Sequence, residues 1–335
     1  MNAYLPQSLA DFWQIIAVLL VTLFVGFGIT RITNVRFGRW AAWLLLVAAT
    51  VVVERLSSEE PAGFRMVALI LVLLWSMKTV VSVEAQADGQ PHLGALPWLA
   101  FAVGWLGMRP AIFARLRRSP LPGAGKLLAA GAVNVLGGIC LMVLARWAVE
   151  GGTIHDQIPA RFLATVPFLV GLSFILHFGL INLSAGFWRL WGVDARPLFK
   201  APLASRSLTE FWGKRWNLAF VEMTAIAIYR PLRSRLGRPL AMFAAFLFSG
   251  LLHEMAISVP VKAGFGLPSL YFALHGLLVL VEGRLERSGF SIKRLGWWSR
   301  VWTLGWLAIP LPLLFHWPFL RGVVWPLAGF PVNPE

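Results

Sequence analysis

Charge is scarce in this 335-residue sequence: 13% of its residues are Asp, Glu, Lys or Arg, and 58% are hydrophobic. A soluble globular domain carries about 25% charged residues, so composition argues against a soluble enzyme or signalling domain. The strand-length alternation of a membrane β-barrel is also missing. Cysteine is nearly absent, with Cys140 alone. No disulfide framework can form within the chain, and Cys140, inside an apolar run, is expected to be a small buried hydrophobe. Acidic residues number 15 against 30 basic ones, a net charge of +15. Nucleic acid is not the expected partner, because most of the basic residues stand in short loops between apolar runs. There they suit anionic lipid headgroups or a phosphate-bearing cosubstrate. The opening MNAYLPQSLADFW has neither a basic n-region nor a convincing cleavage site, so the first apolar run is read as a retained span.

Several long apolar runs are present. Segments 10–29, 40–54, 64–83, 126–149, 162–183, 239–258, 267–282 and 301–320 approach the roughly 20 residues that cross a bilayer as a helix. Runs 93–108 and 218–229 are shorter and are read as re-entrant or interfacial, their crossing left open. With eight crossings and both termini outside, 23 Lys and Arg face the cytoplasm and five face outward. The cytoplasmic set includes Arg109, Arg115, Arg117, Arg118 and Lys126 in one loop. The asymmetry is that of positive-inside topology. The expected fold is therefore all-α: a single multi-pass membrane domain over 1–335, with about eight transmembrane helices and re-entrant or interfacial helices.

Familiar catalytic patterns fail one by one. HEMAI begins like the zinc-protease motif, but the second ligand position holds Ile257 rather than His. His92, His155, His177, His253, His275 and His316 show no metal spacing, so no metal is expected. PGAGK (122–126) lacks the Gly and the Ser or Thr of a phosphate loop, having Pro120 and Leu127 there. No G-x-S-x-G motif or paired-carboxylate arrangement occurs.

One constellation survives. His253 and Glu254 sit inside the apolar FLFSGLLHEMAISVP (246–260), about 20 Å along the span from its start near Pro239. Ionisable groups at such depth usually face a bundle interior or a wet cavity and suggest function. Ser249 lies one turn earlier on the face of His253. Glu254 points about 100° away and reads as an interhelical or supporting partner. Gly250 allows close helix approach. Upstream, the largest non-spanning piece, 184–238, contains SLTEFWGKRWN. Ser207 and Glu210 form a capping box there, opening an aromatic and basic helix with Phe211, Trp212, Trp216 and Phe220 suited to the membrane surface.

The combination SLTEFWGKRWN (207–217), YRPL (229–232) and SGLLHE (249–254) resembles the wax synthase branch of the membrane-bound O-acyltransferases. In that superfamily an F-W-x-x-W-N element on a cytoplasmic segment precedes a His on the next long span. Here the element reads Phe211-Trp212-Gly213-Lys214-Arg215-Trp216-Asn217, the wax-synthase form. The resemblance is strongest over 177–282; the first 160 residues match only as a run of spans. It implies helices around a catalytic tunnel and transfer of a fatty acyl group from acyl-CoA to a hydroxyl, often of a long-chain alcohol, giving a wax ester. The acceptor stays open among a long-chain alcohol, a sterol, a diacylglycerol or another small alcohol. Acyl-CoA is a cosubstrate and no cofactor is expected.

By this resemblance His253 is the catalytic base and Asn217 its companion, orienting the imidazole or meeting the thioester carbonyl. A neutral imidazole that takes the alcohol proton during attack supplies typically about 10²- to 10⁴-fold. Glu254, Ser249, Trp212, Trp216, His177 and Asn182 are supporting or tunnel-lining candidates. Lys214, Arg215, Arg230 and Arg233 are candidates for CoA phosphates, although positive-inside anchoring accounts for each singly. His275 is expected in the core. The implied location is a bacterial inner membrane or an endoplasmic reticulum membrane, the catalytic loop cytoplasmic, with membrane lipids as partners and a homodimer left open. A competing reading makes His253 and Glu254 an ion or proton relay of a transporter; the interrupted, pseudo-symmetric halves of that class are not seen in the sequence.

Overall fold

The computed structural model describes residues 2–114, 116, 119–150 and 158–330, which form helices and turns with no strand among them. Arg115, Arg117, Arg118 and His155 lie outside the described residues, and only the backbone of Arg161 is described. Six helices are long and apolar enough to cross a membrane, rising to seven if the pair Trp298–Leu314 and Trp317–Ala328 counts as one span. The chain is an all-α integral membrane protein.

The first three spans are α1 (Leu9–Ile29), α2 (Val35–Leu56) and α3 (Ala62–Ala87). The side chains of Ser8 and Asn34 cap the first two by accepting from the backbone N–H of Asp11 and Phe37, groups that have no partner within the helix. The short run at 93–108 folds as α4 (Ala95–Gly104), whose 10 residues rise about 15 Å, half of a hydrocarbon core about 30 Å thick. A helix of that length does not cross.

By internal contacts the chain forms two compact units. One takes in Met1–Leu5, Arg115–Pro197 and Leu320–Glu335. Its main helices are α5 (Ala124–Glu150), α6 (Ile158–Ser173) and α7 (Ile181–Leu190), the last two joined through the π-helical turn Phe174–Leu180. The span expected at 162–183 thus runs on to Leu190. Glycines bring α5 against its antiparallel neighbours: a Cβ at Gly138 would stand 2.5 Å from the Gly171 carbonyl oxygen, and one at Gly186 3.0 Å from that of Ala124. Backbone contact of this kind is how helices associate in lipid, where apolar side chains gain nothing by leaving their surroundings. Only a narrow strip of α5 is used. Val133, Leu136, Val143 and Trp147 face outward, and Cys140, expected in the core, is exposed beside them.

The other unit takes in Pro6–Ala114 and Leu198–Phe319. After α4 its helices are α8 (Leu208–Glu210), α9 (Leu218–Thr224), α10 (Arg230–Val261), α11 (Leu267–Arg287) and α12 (Trp298–Ala308). Antiparallel α3 and α10 are pinned at both ends. Arg65 Nη1 donates to the Pro260 carbonyl at 2.8 Å, and Arg230 pairs with Asp88 at 3.1 Å.

Helical structure from Leu218 to Val261 covers 44 residues, which as a rod would measure about 66 Å. It is not a rod. Gly237 holds φ 75°, ψ 168°, a conformation essentially confined to glycine, and the chain turns there. Phe220, 17 residues before Gly237, touches His253, 16 residues after it, with ring centroids 5.2 Å apart. A straight helix would separate them by about 50 Å. The run at 218–229 is therefore one limb of a fold-back, with Arg230, Arg233, Arg235 and Arg238 within seven residues of the turn in sequence.

Two expected spans differ from the sequence reading. The run 267–282 lies in α11, a helix of 21 residues whose His275, Glu282 and terminal arginines keep it outside the six most apolar. The run 301–320 is broken into α12, Leu311–Leu314 and Trp317–Phe319, because Pro310, Pro312 and Pro318 lack the N–H a continuous helix requires.

Candidate active site

The segment from Ser207 to Asn217 is not the single amphipathic helix expected. Ser207 Oγ accepts from the Glu210 N–H at 3.0 Å, as a capping residue should, but Glu210 reaches back to the N–H of Arg206 rather than of Ser207. After three residues the helix widens into the π-helical turn Phe211–Arg215; Trp216 is extended and Asn217 left-handed, φ 43°. Asn tolerates that conformation better than most residues. Its Oδ1 accepts from the Phe220 N–H at 3.4 Å and opens α9. The break turns Trp212 inward, 5.6 Å from Phe272 and 5.3 Å from His275, with Nε1 buried and without a hydrogen-bond partner. Trp216 stacks on Phe211 at 5.5 Å.

Short polar contacts brace this turn. Lys200 N–H donates to the Arg215 carbonyl and Leu218 N–H to that of Leu198. Arg215 binds the Glu210 carboxylate at 2.7 Å and two further carbonyls, those of Lys200 and Ala201. Burial pushes the Glu210 carboxyl up; the Arg206 N–H and the Arg215 guanidinium outweigh this and leave it below the ordinary carboxylate range.

His253 is on the second limb of the fold-back, between Phe220 of α9 and Phe272 of α11, the latter ring 4.3 Å away. Its Nδ1 is 2.7 Å from the Ser249 carbonyl oxygen. A carbonyl only accepts, so Nδ1 carries the proton of the neutral ring and Nε2 the lone pair. The sequence singled out the Ser249 side chain; the structure uses its carbonyl, while the hydroxyl donates to Ala245 O at 3.0 Å. Glu254 turns away from the imidazole: Oε1 accepts from the Ser269 N–H at the start of α11, at 3.0 Å, and Oε2 is buried without a partner. Gly250 sits where a Cβ would stand 2.9 Å from Ser269 Cα, so α10 and α11 meet closely beside His253. His275 is fully buried and its Nδ1 donates to Tyr271 O.

The cationic candidates separate into two kinds. Arg215 and Arg230 are committed to Glu210 and Asp88. Lys214 and Arg233 are exposed and make no ion pair among the described residues. His177 and Asn182 belong to the unit containing α5, where His177 Nδ1 lies 2.9 Å from Ser173 Oγ.

Sequence reasoning missed a set of charged groups near α9, of which Lys78 is buried. Lys78, fully buried, donates to the carbonyls of Trp105 and Gly107 at 2.7 and 2.6 Å and stands 3.9 Å over the Phe101 ring. Glu222 accepts from the Met108 N–H at 3.1 Å and pairs with Arg109 at 2.7 Å. The loop after α4 is thereby tied to α3 and to the helix that brings Phe220 to His253. Lys78 inside an apolar run was the available signal.

Residues 195–274, which hold both walls of His253 and the element from Phe211 to Asn217, match the membrane bound O-acyl transferase family. The chain is 32% identical over 145 residues to the probable long-chain-alcohol O-fatty-acyltransferase 9 of Arabidopsis thaliana, covering 39% of this chain and 42% of the relative. It is 33% identical over 158 residues to the probable long-chain-alcohol O-fatty-acyltransferase 3 of the same plant, covering 41% and 44%. With the long-chain-alcohol O-fatty-acyltransferase of Simmondsia chinensis it shares 36% over 103 residues, covering 27% and 28%. The matched parts span less than half of each relative's length. The resemblance to the wax synthase branch holds over that stretch.

Proposed function

We propose that this protein is a membrane O-acyltransferase that moves a fatty acyl group from acyl-CoA to the hydroxyl of a long-chain alcohol. The observation that carries the reading is His253: Nδ1 is tied to its own helix, which leaves Nε2 the lone pair, and the ring lies between two phenylalanines inside the segment that matches the family. As the alcohol oxygen attacks the thioester carbonyl carbon, Nε2 takes the hydroxyl proton. The tetrahedral intermediate collapses with cleavage of the C–S bond, and the imidazolium returns the proton to the departing sulfur. Ester and free CoA thiol are the products. The apolar walls Phe220 and Phe272 limit water, which would otherwise hydrolyse the thioester. Asn217 serves by capping α9 and so holding Phe220 against the imidazole. Lys214 and Arg233, which have no acidic partner among the described residues, are the better candidates for CoA phosphates; Arg215 and Arg230 serve the fold.

Membranes containing the protein are assayed with labelled acyl-CoA and a panel of long-chain alcohols, a sterol and a diacylglycerol. Ester formation that falls about 10²- to 10⁴-fold in His253→Ala, with membrane insertion intact, supports the reading. Undiminished ester formation removes His253 from the mechanism.

A further inference from the structure

We infer that Glu282 is a positioning residue, a buried carboxylate that docks the start of the Phe211–Asn217 segment onto α11 and so sets the aromatic wall behind His253. The catalytic half of this inference rests on the acyl-transfer reading. Glu282 is buried near the end of α11. Its Oε1 accepts from the Leu208 N–H at 2.8 Å and from Trp302 Nε1 at 3.0 Å. Its Oε2 accepts from the Thr209 N–H at 2.8 Å and the Thr209 hydroxyl at 2.7 Å.

All four partners donate, and three of the four are N–H groups that can do nothing else. Only an acceptor on both oxygens satisfies them. Ser207 covers the Glu210 N–H; Leu208 and Thr209 would be left as unpaired helix-start amides without Glu282. The anchored residues lead straight into Phe211 and Trp212. Trp212 leans on Phe272 and His275 of the same α11, and Phe272 packs 4.3 Å from His253. The segment is therefore held to α11 at two points, a polar one at Glu282 and an aromatic one at Phe272 and His275. Glu282 acts on His253 only through this wall. Glu282→Gln is the sharp variant, because its NH₂ group necessarily confronts at least one backbone N–H. Thr209→Val, which removes one donor and leaves both backbone bonds, is the mild one.

The test uses the full chain in membranes or detergent. Amide hydrogen exchange over 207–217 reads the docking, and ester formation per folded molecule reads the consequence. In Glu282→Gln, exchange at 207–217 is expected to rise about tenfold or more, with kcat falling by a similar factor. KM for acyl-CoA should change little, and Thr209→Val should show a smaller change of the same kind. Unchanged exchange in both variants overturns the docking. Faster exchange with kcat intact overturns the positioning role. If His253→Ala retains ester formation, the acyl-transfer reading and the catalytic half fall together, while exchange still decides the docking.

Discussion

The two units are stabilised by different chemistry. Among the described residues, buried polar side chains are numerous in the unit containing α3, α10 and α11, and include Arg65, Lys78, Glu84, Glu254, His275 and Glu282; Thr165 alone represents them in the unit containing α5. The α5 unit relies on glycine contacts, with most of α5 turned outward. Buried hydrogen bonds are directional and leave large penalties when broken; backbone packing in lipid is limited by steric fit. The unit that carries His253 is the one whose geometry is specified by direction. The family match, residues 195–274, lies almost entirely within it.

Substitutions can break this contrast. The largest structural loss is expected for Lys78→Met, which leaves the Trp105 and Gly107 carbonyls without their donor. Each buried unsatisfied group costs about 1–3 kcal/mol, and the melting temperature of the purified protein should fall together with ester formation. Gly138→Leu comes next. Overpacking costs typically about 1–3 kcal/mol, so melting falls while ester formation per folded molecule is retained. A parallel loss of turnover would show that the two units do not differ as described. Gly237→Ala is expected to cost about 1–3 kcal/mol in backbone strain, with room for the added methyl. Its mark should be reduced kcat with membrane insertion unchanged, read from ester formation and protease protection.

Much of the helix pattern was legible from the sequence. The apolar runs gave α1, α2, α3 and α5 to within about five residues at either end, and the crossing of 93–108 was left open. The turn at Gly237 was not legible, because helical periodicity continues on both sides and φ leaves no trace in hydropathy. The prolines of 301–320 were legible and underweighted. Glu282 stayed hidden for another reason: an acidic residue at the end of an apolar run usually meets water, and its four donors come from segments 20 to 74 residues distant. Cys140 was misread because most of a helix that packs through glycines faces outward.

The fold-back at Gly237 also has a consequence for how the protein is made. Phe220, His253 and Phe272 leave the ribosome within one short interval, and the first two meet through a single reversal of direction. The entropy of closing a loop grows only slowly with its length, but order of synthesis favours partners that emerge together. A hairpin of this kind can enter the bilayer as one unit, its arginine-bearing turn resisting passage across the apolar core. The surroundings of His253 can thus begin to assemble before the last helices of the chain exist.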